Sequence, residues 1–258
     1  LQHDYGHNQV IAMSNPAVRQ FDPAFALELA AINRDGIERM HRRGEDLVYY
    51  ITLYNENYQQ APKPEGVDAG ILRGLYRFAP APKVGRSSNG RKAAPKVRLV
   101  GSGSILPQVL AAQALLAERF GVAAEVYSAP SWPELRRDAL AAERWNRLHP
   151  GSKPRVPYVA TVLGPKGGPI VAASDWMKAL PDLVRSWIEA PFVALGTDGF
   201  GRSDTREALR AYFEIDPPSV AAAAMSALAG AGEISSADAA GAIAELGIDP
   251  DKAYPLDF

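Results

Sequence analysis

Apolar residues recur near every third or fourth position from Phe25 to Met40, through Leu27, Leu29, Ala30, Ile32 and Ile37, and Asp22–Pro23 stands ahead of them as an N-cap followed by a first-turn proline. The spacing predicts a helix over Pro23–Arg42, ended near Gly44. Leu47–Leu53 is an unalternating run of β-branched, aromatic and aliphatic residues, which predicts a strand covered on both faces, as in a parallel sheet. Similar signals return after Lys96. Val97–Gly101 predicts a strand entering the turn Gly101–Ser104; Ile105–Phe120 predicts a helix with Leu106, Val109, Leu110, Ala114, Leu115 and Ala117 on its apolar face; Ala123–Tyr127 predicts the next strand. Ser131 and Glu134 bracket Pro133 as a capping box for a helix reaching about His149. Pro157–Leu163, Ile170–Ala173 and Phe192–Gly196 read as further strands. Asp175–Leu180, Asp204–Phe213, Pro218–Ala229 and Ala237–Leu246 read as helices, with Asp204 and Glu207 as another capping box. Strand and helix in this alternation predict an α/β fold with parallel pairing.

Between the two patterned regions the composition shifts. Pro80, Pro82 and Pro95 occur with Lys83, Arg86, Arg91, Lys92 and Lys96 and no acid, so Ala79–Lys96 reads as an exposed basic linker between residues 1–78 and residues 97–258. A chain of 258 residues has room for two domains at about 100–200 residues each. With 47% apolar and 22% charged residues it can bury a sizeable core. Lys plus Arg is 28 against 29 for Asp plus Glu, a net charge of −1, and no global basic field exists to hold a nucleic acid or an anionic membrane. The absence of cysteine removes disulfides, thiolate nucleophiles and zinc–thiolate or iron–sulfur sites, which agrees with a cytoplasmic setting. The longest apolar stretches, such as Ser219–Ala231, fall short of the ~20 residues of a membrane span. Leu1 is followed by neither a basic start nor an apolar block of the secretory kind; the expectation is an internal position of a longer chain.

Four places could carry chemistry. Gly101–Leu106 (GSGSIL) has the opening glycines of a dinucleotide fingerprint, but Leu106 replaces the third glycine and the acid about twenty positions on, Glu125, falls inside a strand; a tight strand-to-helix turn is the favoured reading. His3 and His7 lie four apart in a turn-rich segment without a third metal ligand, and an imidazole suits proton transfer near neutral pH. Tyr54–Tyr58 (YNENY) directly follows a strand at its carboxyl end, where ligands collect in open α/β sheets. Gly196–Asp204 (GTDGFGRSD) also follows a strand and reads as a conformationally special turn. His41 and His149 read as helix-end residues.

Together, Leu1–His7 (LQHDYGH), Tyr49–Tyr58 (YYITLYNENY), Gly101–Leu106, Glu143–Pro150 (ERWNRLHP), Arg155–Tyr158 (RVPY), Ser174–Lys178 (SDWMK) and Leu195–Asp204 (LGTDGFGRSD) resemble, in order and spacing, the C-terminal part of the homodimeric type of pyruvate dehydrogenase, within the transketolase superfamily. The resemblance covers essentially the whole chain. It implies the end of a thiamine-diphosphate pyrimidine-binding domain in residues 1–78 and a transketolase C-terminal-like domain, a mostly parallel sheet with helices on its faces, in 97–258. It further implies a decarboxylating first component that attacks pyruvate, a small 2-oxo acid, through thiamine diphosphate with Mg2+. The acetyl group passes to a lipoyl group on the acyltransferase core, and the active sites form between two subunits of a homodimer. His3 maps to the histidine of the family's Leu–Gln–His motif and is implied to handle protons or stabilise charge on bound substrate.

Departures limit what carries over. The family motif continues Glu–Asp–Gly–His–Ser–His, whereas this chain has Asp4–Tyr5–Gly6–His7–Asn8–Gln9, which leaves open a second-histidine role and a related substrate such as 2-oxobutyrate. The superfamily's diphosphate and magnesium motif, Gly–Asp–Gly with a later Asn, is missing, since Thr197–Asp198–Gly199 lacks the first glycine. No counterpart of the cofactor-activating glutamate precedes His3. This segment alone is expected neither to bind the cofactor tightly nor to turn over. The competing reading is a stand-alone, non-catalytic assembly or regulatory module built on the same fold.

Overall fold

A two-stranded and a five-stranded sheet make up the computed structural model, which describes residues 6–84 and 93–257. β1 (Val18–Phe21) and β2 (Val48–Ile51) pair in parallel as the smaller sheet, preceded by α1 (Asn8–Ala12) and connected through α2 (Ala26–Gly36), which runs into a π-type stretch, Ile37–Arg42. The helix expected over Pro23–Arg42 thus starts later and ends irregularly. Its N-cap position is held by Phe25 in extended backbone, not by Asp22. Glu28 reaches back one turn instead, its Oε2 accepting the Ala24 N–H at 2.5 Å. The strand expected over Leu47–Leu53 forms, but not with both faces covered: Val48 is 57% and Leu53 70% exposed, because among the described residues β2 has only β1 beside it.

After α3 (Asp68–Arg73) comes β3 (Tyr76–Ala79), a strand that periodicity does not announce. It crosses the boundary expected at residue 78 and joins the larger sheet, pairing antiparallel with β5 (Ala123–Ser128). The remaining neighbours are parallel, in the order β3–β5–β4–β6–β7, where β4 is Lys96–Gly101, β6 Ile170–Ala173 and β7 Phe192–Leu195. Alternating residues send Val97, Leu99, Ala124, Val126, Val171 and Ala173 to one face, under α4 (Leu106–Phe120), α9 (Pro217–Gly230) and α10 (Ser236–Glu245). Val100, Tyr127, Ile170 and Ala172 go to the other, under α5 (Trp132–Leu148), α6 (Tyr158–Leu163) and α7 (Ala179–Asp182). α8 (Arg206–Tyr212) lies between β7 and α9 in the chain.

Pro157–Leu163, expected as a strand, is the helix α6. A short apolar run does not distinguish the two by periodicity, and the first-turn N–H of Tyr158 is held by Asp138 Oδ2 at 2.6 Å, a cap supplied by α5. The helix expected over Asp175–Leu180 begins only at Ala179, which leaves Asp175 at the end of β6. Asp204 is likewise not a cap; Thr205 is, accepting from Ala208 N–H. Ser131 caps α5 as expected, accepting from Glu134 N–H.

Two buried ionisable side chains tie the layers together. Arg98 of β4 is 1% exposed and forms no ion pair among the described residues; it donates to the carbonyls of Leu163, Gly164 and Gly168, holding the loop before β6. Glu28 of α2 accepts from Tyr76 Oη of β3 at 2.7 Å and Ser128 Oγ of β5 at 2.5 Å. A second lace runs from Arg19 to Glu134 at 2.8 Å and from Arg137 to the carbonyls of Pro16 and Val18. Among the described residues no helix is long and apolar enough to cross a membrane.

Candidate active site at the strand ends

The carboxyl ends of β1, β2, β4 and β6 converge, and each contributes a polar residue at or just beyond its last strand position. Asp22 follows β1, Thr52 and Tyr54 follow β2, Ser102 and Ser104 follow β4, and Asp175 follows β6. Asp22 is fully buried; its Oδ1 accepts from Thr52 Oγ1 and Tyr54 Oη, both at 2.6 Å. Its Oδ2, the Ser102 hydroxyl and the Trp176 indole N–H are buried without a hydrogen bond of ordinary geometry. Burial pushes the Asp22 carboxyl above its usual range, opposed by the hydroxyls of Thr52 and Tyr54 and by the nearby Ser102 and Trp176.

Asp175 faces the same cluster with Ser104 Oγ as its hydrogen-bonding neighbour, at 3.5 Å. Burial, and then the negative charge of Asp22, raise its carboxyl to about 7. Tyr54 is held neutral by burial and by both carboxylates. These groups border a cavity of about 190 Å³ lined by Tyr54, Glu56, Ser104, Asp175, Arg206 and Arg210. Arg210 forks onto Glu56 at 3.0 and 2.5 Å, and Arg206 donates to the Asn55 carbonyl, fixing the segment after β2 to α8. The cavity therefore offers a carboxyl able to hold or release a proton near neutral pH beside a phenol donor and a serine hydroxyl.

The turn after β4 is already filled from within. Gly103 N–H donates to the Asp22 carbonyl at 3.1 Å and Ile105 N–H to Ser102 O. Gly103 has φ +49°, and a Cβ there would lie 2.6 Å from Asp22 Oδ2 and from Tyr54 Oη, so glycine is required on both counts. A carboxylate over the turn repels a phosphate, which supports the tight-turn reading. Glu125, the acid considered for a ribose, is engaged by Tyr127 Oη at 3.0 Å and lies 3.6 Å from Arg77.

His3 lies outside the described residues. The chain is described from Gly6, whose carbonyl accepts the Met177 N–H at 3.1 Å, and His7 follows as the N-cap of α1. The loops after β6 and β7 that receive this segment are laced to each other: Thr197 N–H donates to Trp176 O, Thr197 Oγ1 to Asp175 O, and Lys178 N–H to Asp198 Oδ1. Gly196 makes the approach feasible, since a Cβ there would sit 2.3 Å from the Trp176 carbonyl. Of the expected chemistry, Tyr54 and Glu56 enter the cavity, whereas His41 and His149 are exposed elsewhere. Asp22 and Asp175 escape sequence reasoning because Asp22 reads as a helix N-cap and Asp175 as the start of a helix; their position just after an apolar strand is the signal that distinguishes them. Among the described residues no three His, Cys, Asp or Glu side chains could jointly hold a metal ion.

Comparison with known proteins adds a consistent picture. Residues 84–216 match the transketolase-like C-terminal domain, and residues 1–61 match the pyruvate dehydrogenase E1 component middle domain. The chain is 46% identical over 258 residues to the pyruvate dehydrogenase E1 component of Pseudomonas aeruginosa, and 45% over 257 residues to that of Escherichia coli; these matches cover 100% and 99% of this chain. The chain spans 28% of the length of each of these relatives. A transketolase structure from Leishmania mexicana superposes on 86% of the chain, and on 27% of its own, with a TM-score of 0.57 at 18% identity, a likeness of fold.

Proposed function

Because the chain belongs to the family of transketolase-like C-terminal domains, we propose that it is the carboxyl-terminal stretch of a thiamine-diphosphate-dependent pyruvate dehydrogenase, the decarboxylating first component of a multienzyme complex. The observation that carries this reading is the 46% identity to such an E1 component running through the whole chain, from the histidine segment to the last helices. In this reading the enzyme is a cytoplasmic homodimer that decarboxylates pyruvate and passes the acetyl group to a lipoyl group of an acyltransferase core. The domain division at residues 1–78, 79–96 and 97–258 belongs to the same proposal.

The described residues do not fit the cofactor's diphosphate and Mg2+: no suitable ligand group is present, and the glycine turn after β4 is occupied by Asp22. Both are held by other residues of the proposed enzyme. This chain's part is to hold Gly6 on the strand-end loops, through its carbonyl and the Met177 N–H, with a buried proton-holding cluster at the same strand ends. His3 is the group that handles a proton on bound substrate. The exposed side of β2, with Val48 57% exposed, supports the same reading, since parallel strands are ordinarily covered on both faces within a larger sheet.

The test uses the longer natural chain. His3→Ala is expected to lower pyruvate-dependent lipoyl acetylation about 10²-fold or more while thiamine diphosphate binding, followed by thermal shift, stays close to wild type. Wild-type turnover in the variant removes His3 from the site. Assay with pyruvate and 2-oxobutyrate side by side sets the substrate, and a reading frame starting just before Leu1 would instead favour the stand-alone module.

A further inference from the structure

The carboxyl end of α5 carries a surface device that no core cluster uses. Trp145 is stacked by His149, ring centroids 4.5 Å apart and 10° from parallel, and overlaid by the Arg155 guanidinium 4.3 Å from its centroid. Asn146 clamps the Arg155 backbone from both sides, its Oδ1 accepting the Arg155 N–H at 2.7 Å and its Nδ2 donating to the Arg155 carbonyl at 2.9 Å. The His149 ring is fixed in turn by Nδ1 against the Trp145 carbonyl at 2.8 Å. Arg155 is thus anchored at backbone and at guanidinium face, while the guanidinium edge meets no acceptor among the described residues.

The surroundings repeat that pattern of unspent cations. Arg144, Arg147 and Lys153 are exposed and meet no acid among the described residues, and Glu143 is the single acid between Glu143 and Val156. Leu148 and Val156, directly beside His149 and Arg155 in the chain, are 54% and 65% exposed. The segment Glu143–Val156 thus carries Arg144, Arg147, Lys153 and Arg155 against one acid, on a molecule whose net charge is −1.

We propose that this surface docks an acidic segment of a partner protein that carries aliphatic residues among its carboxylates. A guanidinium stacked on an indole keeps its planar N–H fork free and preoriented for a carboxylate, which reduces the ordering cost of binding. The exposed Leu148 and Val156 give such a segment apolar contact that a nucleic acid would not use. The indole face that could stack a base is already taken by the protein's own His149 and Arg155. The proposal stands independently of the catalytic reading.

The test is fluorescence anisotropy on the longer natural chain, with a short labelled peptide alternating glutamate and leucine, the same peptide with glutamine in place of glutamate, and a single-stranded oligonucleotide. The glutamate peptide is expected to bind saturably and to weaken with salt. Arg155→Gln should weaken it about tenfold, Arg155→Lys should not restore it, and Arg144→Gln, on the outer surface of α5, should weaken it without touching the stack. No saturable binding, equal binding of the glutamine peptide, affinity unchanged in both glutamine variants, or oligonucleotide binding that falls in parallel would each overturn the proposal.

Discussion

Asp175 shows how much a single position depends on its neighbours. As an isolated carboxyl it would be ionised at neutral pH, but burial and the Asp22 charge bring it to about 7 from 3.8. Across about pH 4–7 the folded chain then holds a proton that the unfolded chain has released, so stability falls as pH rises through that window, by up to about 1.4 kcal/mol per pH unit. Asp175→Asn removes this contribution. Urea midpoints measured at about pH 5 and pH 7.5 should diverge less in the variant than in the wild type; an unchanged difference would mean that Asp175 ionises normally. Nothing in the spacing Ser174–Asp–Trp176 announces this shift, because its causes are Asp22, brought from the end of β1, and the packing around the cluster.

At the scale of elements, capping decides several outcomes that propensity leaves open. α6 forms where a strand is expected, because Asp138 of α5 supplies its cap, while β2 forms where a strand is expected but, among the described residues, has β1 alone beside it and keeps Val48 exposed. The loop before β6 is governed by Arg98, whose guanidinium replaces water for three carbonyls while burial lowers its own pKa. Arg98→Met keeps the side-chain bulk and strands those carbonyls, at an expected cost of about 2 kcal/mol. The denaturation midpoint should fall, and limited proteolysis should cut faster between Leu163 and Gly168. If the midpoint instead rises, relief of arginine desolvation outweighs the lost hydrogen bonds.

For the whole molecule, the decisive contacts are those that join the two sheets. Glu28 is the centre of one, accepting from Ala24, Tyr76 and Ser128 while burial raises its carboxyl. Tyr76→Phe removes one hydrogen bond to a buried carboxyl and should cost about 1–2 kcal/mol; an unchanged denaturation midpoint would mean that the junction is held by packing alone. The sequence by itself determined the strand–helix–strand unit of β4, α4 and β5 with its parallel pairing, and the tight turn of Gly101–Ser104, because these follow from local periodicity and backbone freedom over a few residues. Its ordered motifs also determined the family. Tertiary structure alone decided that Tyr76–Ala79 completes the larger sheet, that Asp22 and Asp175 share one buried site, and that Arg155 lies over Trp145. The first two depend on residues far apart in the chain meeting where water is excluded, which sets their charge and geometry; the third depends on the loop after α5 returning Arg155 over the indole at the surface.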